Sequence, residues 1–549
     1  MAIKSPKNDK ASGPDGIPAE VLKYGGPTLA QRLHDFIKCI WNEEQAPADL
    51  KNALIVIIYK KGDKAECGNY RGISLLSTVG KLFAKILLNR LTQIAEDVLP
   101  DTQCGFRPGR GTIDMIFALR QVQEKCREQR TPLYTAFFDL TKAFDTIHRE
   151  TLWTILSKYG CPDKLISMIR LLHDEMTASV ICEGQQAEPF PVKVGVKQGC
   201  VLAPTLFALY MGAVLQLAEP QLRNFGVQIA FRYDGNMFNL QRLQAKTKVS
   251  TASVVELQYA DDAAVCSTTE DGLQRISDAF AEAYKCLGLS LNSAKTEVMY
   301  RTPSNNISST ATQPVINVEG HPLKVVSHFK YLGSYVASDV SLDREINNRI
   351  SSAAAAFGKL RKRVFNNHDL ELETKLRVYQ AIIIPTLLYG SETWTTYRYQ
   401  VKELEKFHQR YLRLIMNVKW YDHVTNTALL DRACSTSIEA MLHQNRLRWY
   451  GHMVRMGTER LPKQLLFSQL STGTRSVGAP KKRFKDALKR SFKDCKIDDW
   501  DTAPDDRLVW RRTVCNGIKT FESNRRKTEK DRRVKRKAAE ALKLQLAAS

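Results

Sequence analysis

The sequence predicts an α+β fold in which a sheet carries helices on one side. Short apolar runs rich in β-branched and aromatic residues alternate with stretches of helical period through the middle of the chain, and the pattern turns helical from about residue 341. Of 549 residues 43% are hydrophobic, which is enough to bury cores in roughly three or four domains.

The N-terminal part predicts a strand followed by an amphipathic helix. A turn-rich run over 10–26 precedes a β-branched strand over 53–63. Residues 77–99 then show the helical period. Their core-facing stripe comprises Val79, Leu82, Phe83, Ile86, Leu87 and Leu91.

The middle of the chain alternates short strands with helices, the pattern is helical from about 341, and it is mixed and basic after about 419. The predicted strands are 133–140, 177–184 and the strand-turn-strand 254–266, and the predicted helices are 151–160, 201–218, 272–288, 344–364 and 374–390. Pro385 ends or kinks the last helix. The charged run over 524–546 is either disordered or a lone basic helix.

Charge is concentrated at the C-terminal end. Residues 441–549 hold 28 Lys and Arg against 12 Asp and Glu, so +16 of the net charge of +23 lies there. Such an excess predicts a polyanionic partner, with nucleic acid favoured over a merely solvated surface.

Several classes of protein are excluded. The twelve cysteines are scattered singly, which argues against a disulfide framework and indicates a reducing compartment. Cys434, His443 and His452 are too widely spaced for a zinc knuckle, so no zinc is expected. The longest apolar runs, 53–59 and 381–389, are too short for a bilayer, and we expect no signal peptide. We therefore expect a soluble protein without a membrane partner, located in the nucleus, the cytoplasm or both.

Two adjacent carboxylates, Asp261 and Asp262, lie in the apolar run LQYADDAAV at 257–265. Like charges in a half-buried setting repel each other and resist desolvation. Either Ala-Asp-Asp-Ala is a simple hairpin turn, since Asp is a common turn residue, or the turn holds divalent cations.

A third carboxylate, Asp139, follows the apolar run that begins at 133. If that strand lies beside the hairpin containing Asp261, three carboxylates meet, and two Mg²⁺ ions would relieve their repulsion. Such a metal pair supports nucleotidyl transfer to a 3′-hydroxyl. Segments 59–76 and 103–116 are basic, Gly-punctuated loops that are suited to phosphates or else are solvated surface. Segment 195–207 has a Gly-rich turn entering a helix, which either packs closely against a base pair or is an ordinary loop-to-helix junction.

Eight ordered segments resemble the reverse transcriptases of non-LTR (LINE-type) retrotransposons, nearest the RTE-like and Jockey-like groups. They are SGPDGIPAEVLK, NYRGISLL, GFRPGRGTID, FFDLTKAFDTI, VKQGCVLAPTLF, YADD, GLSLNSAKTEVM and FKYLGS. The resemblance covers roughly 10–335 closely, continues in LLYGSETW at 387–394, and is looser in RLRWYGHMVRM at 446–456.

The resemblance implies a right-hand polymerase fold with an antiparallel palm sheet. The implied parts are mainly fingers at 1–132, a palm with primer grip at 133–335, a helical thumb at 336–420, a basic nucleic-acid-binding region at 421–522 and the basic tail at 523–549. The implied activity is RNA-directed DNA synthesis, with an RNA template, a DNA primer or target, dNTPs and two Mg²⁺ ions, which Mn²⁺ can replace.

The roles of individual residues also follow from the resemblance. Asp139 and Asp261 match the principal metal ligands and catalytic carboxylates, and Asp262 matches the lesser one. Phe144 matches the gate that crowds a ribose 2′-hydroxyl, and Gln198 matches the residue beside the incoming nucleotide. The remaining matches are Lys60 and Arg71 near the triphosphate, Lys295 as general acid, and Arg107, Arg110, Lys330 and Tyr331 on nucleic acid.

Other interpretations of these positions remain open. Lys142 and Asp145 are read as surface groups at a helix start, Tyr259 as strand packing or the first motif residue, and Lys295 as a general acid or a solvated charge. The C-terminal candidates on nucleic acid are Arg446, Arg448, Trp449, Arg455, Lys481, Lys482 and Arg483. An aromatic helix core under a basic face is the alternative there.

The resemblance also leaves alternatives for the whole chain. Relatives usually carry an endonuclease upstream, which we expect an upstream segment or another chain to supply. A catalytically silent nucleic-acid-binding remnant is one alternative to the polymerase. A group II intron maturase-like enzyme is another, which the wording of SGPDGIPAEVLKYGG and LLYGSETW disfavours.

We expect nucleic-acid binding by the C-terminal region to be electrostatic and weakly selective. Its affinity should then fall steeply between low and physiological salt, because each phosphate contact releases counterions. Titration of the chain with labelled RNA over this salt range measures the slope, and a flat titration would contradict the prediction.

Overall fold

A computed structural model describes most of the chain and confirms the mixed α+β class. The described residues are 2–5, 7–218, 222–245, 247–303, 313–473, 475, 478 and 480–548. Within them, no helix combines the length and apolar character needed to cross a bilayer.

The first part of the chain contains the strand and helix that the sequence predicts, and two further long helices. The helices are α1 (Ala19–Tyr24), α2 (Gly26–Glu43), α3 (Ala48–Lys51), α4 (Thr78–Val98) and α5 (Thr112–Glu128), and the strands are β1 (Ala53–Tyr59) and β2 (Tyr70–Leu75). Helix α5 begins inside the segment predicted as a basic loop, and almost all of it is buried.

The middle part supplies most of the strands. They are β3 (Leu133–Phe138), β4 (Thr177–Cys182), β5 (Gln185–Gln186), β6 (Phe190–Pro191), β7 (Val227–Phe231), β8 (Ser250–Val254), β9 (Glu256–Tyr259), β10 (Asp262–Ser267), β11 (Glu297–Arg301), β12 (Asn317–Val318), β13 (His321–Pro322), β14 (Lys324–Val325), β15 (His328–Tyr331) and β16 (Ser334–Ala337). The helices are α6 (Ala143–Thr146), α7 (Arg149–Lys158), α8 (Asp163–Leu171), α9 (Ala203–Ala218) and α10 (Glu270–Cys286).

A central sheet with strand order β14-β11-β3-β10-β9 organises this part. Its two faces are both covered, which corrects the prediction of helices on one side. Phe138 and Val265 belong to the core that α9 and α10 share, whereas Phe137 and Ala264 belong to the core that contains α5 residues. A strand buried on both faces is apolar at nearly every position, as β3 is.

A second, N-terminal sheet has the order β2-β1-β4-β5, with β6 also paired to β4. Strand β1 is parallel to β4, with Ala53 opposite Ala178. Residues 177–191 therefore complete the sheet that 53–75 begins.

The last part of the chain is mainly helical, as predicted from about 341, and the helices continue past about 419, where the sequence predicts a mixed pattern. Its elements are α11 (Asp343–Leu360), α12 (Leu372–Val378), α13 (Ile384–Leu387), α14 (Arg398–Ile415), α15 (Asn426–Arg432), α16 (Ile438–Val454), α17 (Leu461–Phe467), β17 (Ser468–Leu470), α18 (Phe484–Asp494) and α19 (Arg507–Ala548). Pro385 lies in the first turn of α13, after a π-helical turn at Tyr379–Ile383, and its missing N–H is tolerated at that position.

The basic C-terminal region packs against the rest of the molecule. Strand β17 pairs with β7, which extends a small sheet with β8. Phe117 of α5 contacts both Trp449 and Phe484 edge-on, at 5.7 and 5.1 Å between ring centroids. The region predicted at 421–522 is therefore part of a continuous structure with α5. The charged run at 524–546 is helical, within α19.

The contact between α16 and α19 leads to a prediction about stability. Trp510 is buried and donates from Nε1 to the Leu447 carbonyl at 2.9 Å, so its indole lies directly over Gly451. A Cβ at Gly451 would stand 2.2 Å from the indole ring. We expect Gly451→Ala to destabilise the protein by about 1–3 kcal/mol in urea or thermal unfolding.

Gly358→Ala in α11 is the matched control, because a Cβ there meets nothing within 4 Å. It should be neutral or stabilising by up to about 1 kcal/mol through helix propensity. Equal stability of the two variants would show that α19 does not pack on Gly451.

Candidate functional site

Three carboxylates lie at one end of the adjacent strands β3 and β10. Ala263 is paired with Phe138 in an antiparallel register. Asp262, the first residue of β10, and Asp139, which follows β3, are therefore neighbours at the same sheet end. Asp261 belongs to the two-residue turn between β9 and β10. The strand and the hairpin thus adjoin, as the hypothesis of a carboxylate cluster requires.

The loop after α4 holds the turn that carries Asp261 in place. Ala260 has φ +59°, a left-handed conformation that is costly for a residue with a Cβ. The Gln103 side-chain oxygen accepts from the N–H groups of both Ala260 and Gly105, at 3.2 and 2.8 Å. A Cβ at Gly105 would come within 2.2 Å of the Ala260 nitrogen, so only glycine allows this approach.

The three carboxylates have fewer positively charged neighbours than would balance their own charge. Partial burial, then the charges of Asp261 and Asp139, raise the pKa of Asp262 to about 6. Burial also raises the pKa of Asp261, as does Asp139, while Arg71 opposes that shift. Lys295 lies against Asp139 with Nζ 3.2 Å from Oδ2. The site therefore favours a further cation.

The donor set fits a hard divalent cation, because carboxylate oxygens are the ligands that Mg²⁺ prefers. Among the described residues, however, no three Asp, Glu, His or Cys side chains are already grouped as a metal-binding cluster. Asp139 instead faces Lys295. A metal ion would have to compete with the Lys295 ammonium for this carboxylate.

A hydrogen-bonded chain of side chains stands beside the carboxylates. Arg71 Nε donates to Gln198 Oε1 at 3.2 Å, and Gln198 Nε2 donates to Asp145 Oδ1 at 3.1 Å. The Gln198 carbonyl accepts from the Ser74 N–H at 2.7 Å, which ties its loop to β2. The structure therefore brings Arg71 and Gln198 together as neighbours.

Asp145 is a site residue that the sequence reasoning set aside. It lies in the first turn of α6 and is exposed, as predicted, but it also fixes the Gln198 amide. In the sequence, only its position directly after Phe144 indicates that Asp145 belongs to the site.

Aromatic rings form one wall of the site. Phe144 stacks on Phe207 with centroids 4.2 Å apart and planes 8° apart, and meets the edge of Phe106 at 6.1 Å. Phe106 also lies 6.3 Å from Tyr259. Phe106 is 45% exposed and has φ +61°, and the sequence reasoning missed it within the GFRPGR segment.

Lys60 and Lys330 are exposed residues on hairpins near the site. Lys60 follows β1 in the loop that leads to β2, and its backbone N–H donates to the Asn69 carbonyl. Lys330 lies on β15, which pairs with β16. Tyr331 beside it is buried and donates to the Leu257 carbonyl at 2.8 Å, so Tyr331 anchors the hairpin and does not face a ligand.

Two residues of the 103–116 segment that are predicted to contact nucleic acid, Arg107 and Arg110, instead form ion pairs within the protein. The buried Arg107 pairs with Glu96 at 3.1 Å and donates to three backbone carbonyls. Arg110 pairs with Asp101. This corrects the expected role of both residues, since their guanidinium groups brace the loop that supports the Asp261 turn.

The C-terminal candidates divide between the interior and the surface. Arg446 is buried and donates to Ser491 Oγ and the Trp394 carbonyl, and burial lowers its pKa to about 10. The other candidates with partners in the protein are Trp449, packed on Phe117; Arg455, bonded to the Pro504 carbonyl; Lys482, bonded to the Thr396 carbonyl; and Arg483, paired with Glu128 and Asp486. Arg448 and Lys481 remain exposed. Arg446 and Trp449 are therefore enclosed, whereas Arg455, Lys482 and Arg483 are half-buried and have partners within the protein.

Comparison with known proteins gives consistent matches. The protein-family profile described as "Reverse transcriptase (RNA-dependent DNA polymerase)" matches residues 58–336, just over half of the chain. The RNA-directed DNA polymerase from the mobile element jockey of Drosophila melanogaster is 24% identical over 423 residues, 75% of this chain and 43% of that protein. The probable RNA-directed DNA polymerase from transposon X-element of the same species is 24% identical over 441 residues, 77% of this chain and 44% of that protein.

The chain thus spans less than half the length of these curated relatives. Among solved structures, apo telomerase from Candida tropicalis aligns with a TM-score of 0.35 and 12% identity, over 57% of this chain and 59% of that chain. A TM-score of 0.35 is too low to establish a common fold.

Proposed function

Since the chain belongs to the reverse transcriptase (RNA-dependent DNA polymerase) family, among the non-LTR retrotransposon proteins, we propose that it is an RNA-directed DNA polymerase. It adds dNTPs to the 3′-hydroxyl of a DNA primer on an RNA template. The observation that carries the proposal is the meeting of Asp139, Asp261 and Asp262 at one end of β3 and β10 beside Arg71 and Gln198.

The proposed architecture is a right hand. The N-terminal sheet serves as fingers, the central sheet as palm, and helices α11 to α14 as thumb. The β15–β16 hairpin serves as primer grip, with Lys330 exposed and Tyr331 anchoring it from within. The Tyr389 hydroxyl donates to the Leu332 carbonyl at 2.9 Å, which joins the hairpin turn to the helical part.

Asp139, Asp261 and Asp262 would hold two Mg²⁺ ions, which when bound activate the primer hydroxyl and neutralise charge on the leaving pyrophosphate. In this proposal Lys295 supplies the proton that the pyrophosphate takes up. Its contact with Asp139 keeps the ammonium at the site before a metal and substrate arrive.

The neighbouring residues position the nucleotide. The planar Arg71 guanidinium suits bidentate contact with a phosphate. Gln198 is held between Arg71 and Asp145, so its amide presents a fixed edge to the new base pair. Phe144 is stacked rigidly on Phe207, and a side chain that cannot yield is what excludes a ribose 2′-hydroxyl.

We expect Asp261→Ala to abolish primer extension. With poly(rA)/oligo(dT), dTTP and Mg²⁺, the rate should fall by at least about 100-fold, the scale for loss of one group that stabilises the transition state. Asp97→Ala, which removes an exposed carboxylate at the end of α4, is the matched control and should extend as the unaltered chain does. Equal extension by the Asp261 variant and the unaltered chain would favour the silent nucleic-acid-binding remnant.

Asp145→Ala should raise the KM for dNTP by about 3- to 10-fold with a smaller change in kcat, because it removes one hydrogen bond that orients Gln198. Asp145→Asn retains an acceptor oxygen and should recover most of the loss. Steady-state kinetics of single-nucleotide addition measures both constants. A fall in kcat alone, or an equal defect in the two variants, would contradict a positioning role.

A further inference from the structure

A groove of about 640 Å³ runs along the outer side of α14, and its charged lining is almost entirely basic. Five cationic residues line it, namely Lys402, Lys406, Arg410, Arg413 and Lys419. The one acidic residue in the lining, Glu405, accepts from the Ile438 N–H at the start of α16 and from Gln409, so its charge is directed inward. No residue of the central sheet takes part.

The cations form a row along one helix face. Lys402, Lys406 and Arg410 are exposed and follow each other at intervals of four residues, so each lies about 6 Å further along the axis on nearly the same side. Lys406 also contacts Glu403 at 2.7 Å, an exposed pair that gives way readily to a stronger anion. An extended polyanion fits such a row better than a single small anion does.

An aromatic pair stands at the end of the groove beside Lys419. Trp420 is 84% exposed and Tyr421 is 60% exposed, and their rings lie 5.9 Å apart at 73°. Large aromatic side chains left in water on a stable turn mark an interaction surface. Because the two ring planes are steeply inclined to each other, each ring can stack on a different planar group.

The turn that carries this pair is fixed to α14 before any partner binds. Asp422 accepts from the Lys419 N–H at 2.7 Å and closes the short helical turn Trp420–Asp422. Arg413 of α14 donates to the Val424 carbonyl and to Asn426 Oδ1, at 2.8 and 2.9 Å. The backbone that carries the aromatic rings is therefore fixed relative to α14, which lowers the entropy lost on binding.

We propose that the groove along α14 and the Trp420–Tyr421 turn bind single-stranded nucleic acid, with the backbone on the basic row and bases stacked on the exposed rings. Cations along a groove combined with exposed aromatic faces are the features that hold unpaired strands, because every base has a face to stack. A duplex keeps its bases inside and cannot use the rings. An acidic protein segment could use the cations but gains less from Trp420.

The test uses the full chain without dNTPs or metal, and fluorescein-labelled hexauridylate and hexathymidylate as probes in anisotropy titrations. We expect Trp420→Ala to weaken binding of both probes by about 5- to 100-fold, and Trp420→Phe to retain most of the affinity. Tyr24→Ala, which removes a 68% exposed aromatic residue from α1, is the matched control and should bind as the unaltered chain does. A hairpin duplex should not respond to Trp420→Ala.

The basic row is tested by charge-matched variants. Lys402→Ser with Arg410→Ser should lower the slope of log affinity against log salt by about 0.7 per cation. Lys158→Ser with Lys285→Ser removes the same charge from exposed helix ends elsewhere and should leave the slope nearly unchanged. Equal slopes in the two double variants would mean that net charge alone governs binding, and would overturn the proposal.

Photocrosslinking locates the contact independently of affinity. A hexauridylate with one 5-iodouridine should crosslink to the peptide that contains Trp420 and Tyr421. Crosslinks confined to other peptides, unchanged affinity in Trp420→Ala, or an acidic polypeptide that binds this turn where hexauridylate does not would each refute the assignment. Asp261→Ala should bind the probe normally, so failure of the polymerase proposal would not affect this result.

Discussion

The register between β3 and β10 is the constraint on which the candidate site depends. Side chains alternate between the faces of a strand, so a slip of one residue would exchange the two cores on either side of the sheet. Phe138 and Val265 face one core while Phe137 and Ala264 face the other, and both cores are fully packed. Burial on two faces therefore fixes Ala263 opposite Phe138, and this pairing sets Asp139 beside Asp262.

This pairing of β3 and β10 brings the negative charges of Asp139, Asp261 and Asp262 together at one end of the sheet. Burial, and after it the neighbouring carboxylates, raise the pKa of both Asp261 and Asp262. Arg71 and Lys295 offset part of this repulsion from two directions. The same groups that lower the repulsion are those that would meet the phosphates of a nucleotide, so one arrangement serves both stability and the proposed chemistry.

The basic residues show how one residue type takes two roles. Arg107 and Arg446 are enclosed and bonded to backbone carbonyls, where they brace loops and helix contacts. Lys402 and Arg410 are exposed in the groove along α14, and Trp420 stands near them in water. Net charge cannot separate these cases, because an arginine in a core and an arginine on a surface contribute equally to it. Only the tertiary packing around each residue decides which cations remain available.

The sequence by itself determined the class of fold, several of the long helices and strands, and the three candidate carboxylates, because these depend on local periodicity and on motifs that are contiguous in the chain. It did not determine the second covered face of the central sheet, the parallel pairing of β1 with β4, or the contact of Asp145 with Gln198. It also assigned Arg107, Tyr331 and Trp449 to a surface that they do not reach. Those features join residues far apart in the chain, and a side chain is exposed or enclosed only once distant elements have packed around it.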